Sequence, residues 1–344
     1  MATDTTIARI QQNQDMPEGL DLGLLNHWYP IIESSALQDM PICLERFGRK
    51  LAVWRDASGR PNVFDNQCPH RGAPLSLGRV HDEELACAYH GWRFNRTGIC
   101  VGQPLEASDA PRHERHNVTS YAAEDRAGYI WMYHRGRGKA TPLIVPPELE
   151  DPAWHGYRTG YEWGTNWMNV LDNVLDPLHA IYLHAGAVTQ QRRATFKSFQ
   201  VTKDDQAGFR LSKLGLLSDG SIGPVEAEIE FLLPNVVRID IADGTASGIY
   251  RVIIMPTPVN ADRVIAFYYR GRHVSSRADK LRWKIWWARN GRKVHGVAAQ
   301  DHDVLAGLGP VRDTRSKENL VLSDVGVVRL RRRLYQAHRA SLES

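Results

Sequence analysis

Cysteine and histidine residues recur at close spacing in one segment, CPHRGAPLSLGRVHDEELACAYHGW, which runs from Cys68 to Trp92. Cys68 precedes His70 by two residues and Cys87 precedes His90 by three, with sixteen residues between the two pairs. Thiolates and imidazoles are ligands of zinc ions and of iron–sulfur centres. The spacing therefore predicts a metal centre that is held by two loops.

Two kinds of metal centre fit this set of donors. A zinc ion accepts two cysteines and two histidines, but zinc sites usually place the cysteines on one arm and the histidines on the other. Here each arm mixes the two residue types. A Rieske 2Fe–2S cluster requires this mixture, because two cysteines bind one iron and two histidines bind the other. The mixture favours an electron-carrying cluster over zinc.

The segment resembles a Rieske iron–sulfur domain, down to the sequences CPHRG and YHGW. This resemblance implies that Cys68 and Cys87 bind one iron of a 2Fe–2S cluster. It implies that His70 and His90 bind the other iron.

The differences from respiratory Rieske proteins are informative. Those proteins carry an additional cysteine in each loop and a serine after the second His-Gly pair, whereas this chain has Ala73, Tyr89 and Trp92 there. Fewer hydrogen bonds to the sulfurs imply a lower reduction potential, which is typical of the oxygenase and ferredoxin branch. The other two cysteines, Cys43 and Cys100, have no histidine at ligand spacing and are expected to be structural thiols.

A second group of polar residues lies in DNVLDPLHAIYLH, which ends at His184. On a regular helix Asp172, Asp176 and His179 share one face, whereas His184 is rotated by about 140° from His179. Pro177 cannot donate a backbone hydrogen bond and crowds the preceding turn, so we expect a distorted helix here. Two imidazoles and a carboxylate form the facial triad of non-haem Fe(II), and a buried histidine pair satisfied by the aspartates is the alternative.

This second segment is similar to the mononuclear-iron motif of Rieske non-haem iron oxygenases, in their catalytic alpha subunit. The matching residues are Asn166, Trp167, Asp172, Asn173, Asp176, His179 and His184. By this resemblance His179 and His184 bind the iron, and Asp176 has a bridging role. Asn173 is expected either to support the iron ligands or O₂, or to bond the distorted backbone.

The third iron ligand in that family is a carboxylate ahead of the C-terminal helix. AAQDHDVLAGLGPVRDTRSKENLVLSD resembles the corresponding stretch of the phthalate dioxygenase and phenoxybenzoate dioxygenase group. The match places Asp301 on the iron, with Asp303 as its nearest rival. Asp313 and Glu318 are expected to be surface or capping residues.

The length and the sequence pattern predict the domains that carry these residues. The 344 residues, 42% hydrophobic and 24% charged, suffice for two globular domains. Short strand-like runs broken by Gly and Pro precede a linker-like sequence, and strand-like and helical patterns follow it. We expect an α+β chain in which an all-β Rieske domain is joined to a larger catalytic domain with an antiparallel sheet flanked by helices. The expected boundaries are 1–25 for an N-terminal segment packed on the catalytic domain, 26–138 for the Rieske domain, 139–155 for the linker and 156–344 for the mononuclear iron domain.

Charge and hydropathy limit the partners and the cellular location that we expect for the chain. The net charge of +4 is small, and RLRRRLYQAHR near the C-terminus carries Leu330, Leu334 and Tyr335 at helical spacing, which predicts a docked helix with a solvated basic face. The N-terminal sequence lacks the pattern of a secretory signal, and no apolar run reaches membrane-spanning length. We therefore expect a cytoplasmic protein that has neither nucleic acid nor a membrane as a partner.

The resemblance implies an oxygenase component with a Rieske cluster, a mononuclear Fe(II) and O₂ as co-substrate. It would hydroxylate, dihydroxylate or oxidatively dealkylate an aromatic compound. Electrons would come from NAD(P)H through a flavin and iron–sulfur reductase, and in some systems through a ferredoxin. In the family three subunits form a head-to-tail ring, in which His90 of one subunit would bond Asp176 of the next, and Asp176 in turn His179.

Two other functions stay open. One is an electron carrier or redox sensor in which a Rieske domain is fused to a ligand-binding domain, and two irons per chain would support it. The other is a zinc-stabilised binding protein, which would be colourless. The substrate pocket is expected to be lined by the 190–270 sheet and by the following helix, which includes LRWKIWWARNG, and no single Arg or His of the sequence stands out as a carboxylate anchor.

Overall fold

The computed structural model describes residues 16–107, 111, 113–134, 140–176, 178–184, 196–216, 221–224, 228–242 and 249–343. These residues form two compact units. Leu25–Val145 form the smaller unit, and residues 16–24 form the larger unit together with Pro146–Glu343. None of the helices in the described ranges is long and apolar enough to span a bilayer.

The smaller unit is built from short antiparallel strands, as its alternating sequence predicts. Strands β1 to β11 are His27–Glu33, Ile42–Arg46, Arg49–Arg55, Pro61–Asp65, Arg79–His81, Glu84–Ala86, Arg93–Asn95, Cys100–Gly102, Ser120–Tyr121, Ala123–Arg126 and Tyr129–His134. They form three sheets with the strand orders β1-β11-β10, β2-β3-β4-β9 and β5-β6-β7-β8. The all-β character of the predicted Rieske domain is therefore confirmed.

Strand β3 is buried on both faces and joins two apolar clusters of this unit. Its residues Ala52 and Trp54 pack in a cluster that also contains Cys68 and Cys87. Its alternate residues, Leu51 among them, pack in the other cluster. Because successive side chains of a strand point to opposite faces, β3 fixes the predicted cluster loops onto the rest of the unit.

The described strands of the larger unit form one antiparallel sheet. Strands β12 to β19 are Trp154–Trp163, Phe196–Asp204, Gly208–Leu216, Ile222–Pro224, Ile229–Leu232, Val236–Ala242, Ile249–Pro258 and Val264–His273. Their order is β12-β19-β18-β17-β16-β14-β13, and β15 pairs with β14. The predicted sheet with flanking helices is confirmed, since helices pack on the face that carries Val252, Val264 and Tyr268.

Five α-helices of the larger unit lie among the described residues. Helices α1 to α5 are Trp167–Val174, His179–Leu183, Arg277–Ala306, Val311–Arg315 and Val325–Glu343. The C-terminal helix α5 docks through Leu330 and Leu334, which are fully buried, as predicted. Its basic face is not wholly solvated, because Arg331 is buried and donates to Asp172 at 2.7 Å.

The polar segment that precedes His184 is divided between two helices. Helix α1 ends at Val174 and helix α2 begins at His179, so the expected distortion is observed, although Pro177 itself lies outside the described residues. This break means that Asp172 does not share one continuous helical face with His179. Asp172 instead pairs with the buried guanidinium of Arg315 at 3.0 Å.

Candidate metal centres

The first predicted cluster loop is closed by its own backbone. The amide of Cys68 donates to the carbonyl of Ala73 at 2.8 Å, and the amide of Gly72 donates to the carbonyl of Cys68 at 2.8 Å. Gly72 has a φ of 75°, in the left-handed region that favours glycine. The turn directs the intervening His70 away from the chain interior, and His70 is exposed.

The second loop repeats this arrangement. Cys87 donates to the carbonyl of Trp92 at 2.8 Å, and Gly91, with a φ of 71°, donates to the carbonyl of Cys87 at 3.0 Å. In both loops glycine stands four residues after the cysteine and closes the same turn. The two halves of the sequence motif thus fold into two equivalent loops.

The four side chains of these loops separate into an inner and an outer pair. Cys68 and Cys87 are 2% and 4% exposed, whereas His70 is exposed and His90 is half-buried. The rings of His70 and His90 are 4.6 Å apart, and Trp92 stacks on His70 at 4.6 Å. This arrangement fits a cluster with one iron held by buried thiolates and the other by outer imidazoles.

Burial changes the acidity of one of the cluster thiols. It is the main cause that raises the pKa of Cys68 to about 12; the adjacent Cys87 contributes to the rise, and backbone amides oppose it. A thiol with this pKa stays protonated at neutral pH unless a cation stabilises its thiolate. The thiolate of Cys68 would therefore form together with metal binding rather than before it.

The same residues do not converge as ligands of one zinc ion would. Zinc ligands about 2.0–2.3 Å from a common ion lie within roughly 4 Å of each other. In the described parts of the chain, the one group of three or more His, Cys, Asp or Glu ligand atoms within 4.8 Å of one another is His179, His184 and Asp301. The Cys/His quartet is spread over a larger space, as two irons require.

The second site brings together residues that are far apart in sequence. Oδ1 of Asp301 lies 3.3 Å from Nε2 of His179 and 3.2 Å from Nε2 of His184. Helix α2 positions His179 and the following His184, and Asp301 comes from the last turns of α3. The exposed Asp303 instead lies 3.3 Å from the ring of its neighbour His302. The arrangement of two imidazoles and one carboxylate fits a facial triad with open positions on Fe(II).

Hydrogen bonds orient both imidazoles of this site. Nδ1 of His179 bonds the main-chain carbonyl of Asp176, and Nδ1 of His184 bonds Oε1 of Gln300 at 2.9 Å. With each Nδ1 engaged, both Nε2 atoms face Asp301. Such bonds fix the tautomer and the ring orientation of histidine ligands.

Charges within the site reinforce each other. Burial raises the pKa of Asp301, but the hydrogen bonds from His179 and His184 outweigh burial and hold that pKa below its usual value. Burial lowers the pKa of His184, but bonds to Asp301 and Gln300 leave it raised. A negative carboxylate between two imidazoles forms a site that attracts a cation.

Asn173 contacts the triad through its side chain, whereas Asp176 contacts it through its main chain. Nδ2 of Asn173 donates to Oδ1 of Asp301 at 3.4 Å, which supports the expectation that it assists the iron ligands. The carboxylate of Asp176 accepts from the amide of Leu178 at 3.0 Å, and the contact to His179 is made by its main-chain carbonyl. The expected contact between this carboxylate and His179 is therefore not observed. Because α1 ends before Asp176, the main-chain carbonyl of Asp176 is free to accept from the ring of His179 instead.

Asn166 and Trp167 fix the start of α1 rather than contacting the triad. Asn166 caps the helix by accepting from Met168, and Trp167 is fully buried and donates to Leu20. Gln300, by contrast, was not predicted. Its position before Asp301 is visible in the sequence, but only the folded chain brings it to His184.

Four further residues of the sequence prediction lie outside the two sets of ligands. Cys100 is buried in the apolar cluster that also contains Cys68 and Cys87, whereas Cys43 is exposed. Asp313 is exposed, as predicted. Glu318 is more than the predicted surface or capping residue, because its carboxylate accepts a hydrogen bond from the buried Arg331.

Known families match both units. Residues 27–122 match the Rieske 2Fe-2S domain. Residues 163–340, just over half of the 344 residues, match the vanillate O-demethylase oxygenase C-terminal domain. The fold and both sites thus define an oxidoreductase that incorporates O₂ with the aid of a Rieske cluster and a non-haem iron. The chain belongs to the Rieske non-haem iron oxygenases, as a catalytic alpha subunit.

Individual relatives extend over most of the chain. The 3-chlorobenzoate-3,4-dioxygenase oxygenase subunit of Comamonas testosteroni is 27% identical, over 97% of this chain and 89% of its own length. The phenoxybenzoate dioxygenase subunit alpha of Ectopseudomonas oleovorans is 26% identical, over 91% and 80%. A solved structure of the carbazole-bound oxygenase of carbazole 1,9a-dioxygenase with its ferredoxin shares the fold, with a TM-score of 0.75 at 18% identity over 98% of this chain and 96% of that one.

Proposed function

We propose that this chain is the terminal oxygenase of a system that hydroxylates, dihydroxylates or oxidatively dealkylates an aromatic compound with electrons from NAD(P)H. The observation that carries the proposal is the convergence of His179, His184 and Asp301 on one point, in the same chain as two Rieske-type loops. When bound, the two iron centres supply stored electrons and activation of O₂. The protein supplies the ligands and their orientation.

Each centre has an assigned set of ligands. Cys68 and Cys87 hold one iron of the cluster, and His70 and His90 hold the other. The mononuclear iron is held by three further ligands, His179, His184 and Asp301. The burial of the two cysteines and the outer position of the two histidines support the first set, and the 3.2–3.3 Å contacts of Asp301 with both imidazoles support the second.

The supporting residues act through hydrogen bonds. Asp176 and Gln300 hold the two imidazoles with Nε2 directed at Asp301. Asn173 donates to Asp301 and so helps to keep its carboxylate in place. These contacts preorganise the ligands, which lowers the cost of assembling the site.

The electron donor is a flavin and iron–sulfur reductase, directly or through a ferredoxin. The exposed His70 and the half-buried His90 leave the imidazole side of the cluster loops accessible for exchange with other proteins. The related carbazole oxygenase structure contains a ferredoxin, which supports this kind of partner. We further propose a homotrimer with head-to-tail subunits, in which His90 of one subunit approaches Asp176 of the next.

The substrate class is an aromatic acid or an aryl ether. The relatives that cover most of this chain are named for 3-chlorobenzoate and phenoxybenzoate, which are both aromatic carboxylates. The open side of the triad would accept one face of the substrate ring.

Metal analysis combined with a turnover assay tests this function. The purified chain should be red-brown and contain about three irons and two acid-labile sulfides, and a panel of aromatic acids and aryl ethers with reductase, NADH and O₂ should yield oxygenated product. Cys87→Ser should remove the cluster and His184→Ala should remove only the mononuclear iron, whereas Cys43→Ser should remove neither. Two irons in the parent chain, with no product from any compound, would point to an electron carrier instead.

A further inference from the structure

Among the described residues of the larger unit, one buried arginine has no negative partner. Arg270 lies near the end of β19 and is 2% exposed. Side chains alternate along a strand, so Arg270 shares the helix-packed face of the sheet with Ala266 and Tyr268. A guanidinium at this position lies in the interior of the catalytic unit rather than on its surface.

The contacts of Arg270 do not neutralise its charge. Nη1 donates to Oγ1 of Thr159 at 2.8 Å, and the guanidinium lies 4.4 Å from the ring centroid of Tyr268 and 5.8 Å from that of Tyr161. Within the described part of the chain, no carboxylate lies at ion-pair distance from it. Cation–π contacts and one hydrogen bond offset only part of the cost of burying a charge, which buried arginines normally recover by pairing.

The same aromatic residues connect Arg270 to the metal site. The hydroxyl of Tyr161 contacts the ring of His295 on α3, six residues before Asp301. Six residues of helix span about 9 Å along its axis. Burial raises the pKa of Tyr268, and the negative charge of Asp301 contributes to that rise while the positive charge of Arg270 opposes it. The hydroxyl of Tyr268 therefore lies near both charged groups.

We propose that Arg270 binds the carboxylate of an aromatic acid substrate and so directs the substrate ring toward the triad of His179, His184 and Asp301. The planar guanidinium offers two parallel N–H donors, which match the two oxygens of a carboxylate. Tyr161 and Tyr268 flank this anchor with aromatic surface. The assignment rests on the proposed oxygenase function, and it specifies the substrate class of that same site.

Binding of two matched probes to the holoenzyme tests the anchor without turnover. Benzoate and benzamide have nearly the same shape, but only benzoate carries a negative charge. By anaerobic calorimetric titration the parent enzyme should bind benzoate about 10- to 100-fold more tightly than benzamide. Arg270→Gln should abolish this preference and Arg270→Lys should keep part of it, whereas the exposed control Arg263→Gln should leave it unchanged.

Several outcomes separate the anchor from the activity. Equal affinity of the parent enzyme for both probes, or no binding of benzoate at millimolar concentration, would overturn the anchor and leave Arg270 with a structural role. This comparison needs no variant, so it holds even if Arg270→Gln fails to fold, which a circular dichroism spectrum would reveal. A clear preference for benzoate in an enzyme that oxygenates no compound would support the anchor and refute the proposed function.

Discussion

Nδ1 of His184 lies 2.9 Å from Oε1 of Gln300, the residue immediately before Asp301 on α3. One helix therefore supplies one proposed metal ligand and also the acceptor that orients a second proposed ligand from another part of the chain. Because an amide oxygen accepts only from a protonated Nδ1, this contact leaves Nε2, the nitrogen directed at Asp301, as the atom through which the neutral ring would bind a metal ion.

Replacement of Gln300 should weaken iron binding. In Gln300→Leu the ring of His184 loses its acceptor, and loss of such a contact typically reduces metal affinity about 10- to 100-fold. Competition with an Fe(II) chelator measures this affinity, and Gln200→Leu, an exposed position on β13, is the matched control. Unchanged affinity in Gln300→Leu would show that the ring is held by other contacts.

The two aspartates near the end of α3 should differ sharply. Asp301→Asn removes the charge between His179 and His184, so the iron content should fall by about one per chain while the visible spectrum of the cluster is kept. Asp303→Asn should change neither, because Asp303 is exposed and lies against His302. Loss of the mononuclear iron in Asp303→Asn, with retention in Asp301→Asn, would reverse the assignment.

Replacement of Asp176 should lower turnover more than it lowers metal content. Asp176→Asn keeps the main-chain carbonyl that bonds His179, so both iron centres should stay loaded. If the carboxylate bridges to His90 of a neighbouring subunit, turnover should fall by about 100-fold or more. Single-turnover oxidation of the reduced cluster measures this step, and exposed Asp313→Asn serves as control. A fully active Asp176→Asn enzyme would refute the bridge.

The left-handed glycine of the second cluster loop should be sensitive to substitution. A Cβ on Gly91 would strain a φ of 71° and would lie 2.9 Å from Cγ of Pro104. Gly59→Ala is the matched control, since Gly59 has a φ of 79° and open space around it. Both variants should lose about 1–2 kcal/mol of unfolding free energy, but only Gly91→Ala should lower the labile sulfide content.

A buried histidine should make the smaller unit sensitive to acid. Burial lowers the pKa of His134, which stacks on Phe47 at 4.1 Å, to about 3 from its ordinary 6.5. Between these values the unfolded chain binds more protons than the folded one, so stability falls as pH decreases through this range. From pH 7 to pH 5 His134 should cost about 2 kcal/mol of unfolding free energy.

Urea unfolding at the two pH values measures this contribution. His134→Phe keeps a ring against Phe47 but cannot take up a proton, so its stability should decline less than that of the parent chain. His81→Phe, at an exposed position, should show the parental dependence on pH. The same decline in all three proteins would contradict the assignment.

The proximity of the cysteines and histidines in the cluster loops could be predicted because their signals are local. Each cluster loop is a single turn, so the spacing of Cys68 and His70 along the chain directly determines their spacing in space. The break between α1 and α2 could also be anticipated, since proline interrupts a helix whatever surrounds it.

Residues that depend on tertiary packing could not be predicted. Gln300 reaches His184, and Arg270 lies near Tyr268, only after the sheet and α3 have packed together. For Asp172 the local pattern gave a wrong prediction, because only a regular helix would place it on the same face as His179. Its true partners, Arg315 and Arg331, come from helices much later in the chain.

The triad joins two parts of the chain, around His184 and around Asp301, that lie far apart in the sequence. Helix α2 has five residues, too few to be stable alone, whereas Asp301 belongs to a thirty-residue helix. An ion bound to both would act as a removable cross-link that closes a very long loop and limits the freedom of the short helix. Loading of the metal and local folding are then thermodynamically linked, so the free energy of iron binding is partly spent on ordering α2. Chelation should accordingly increase amide hydrogen exchange in α2 well before it affects α3.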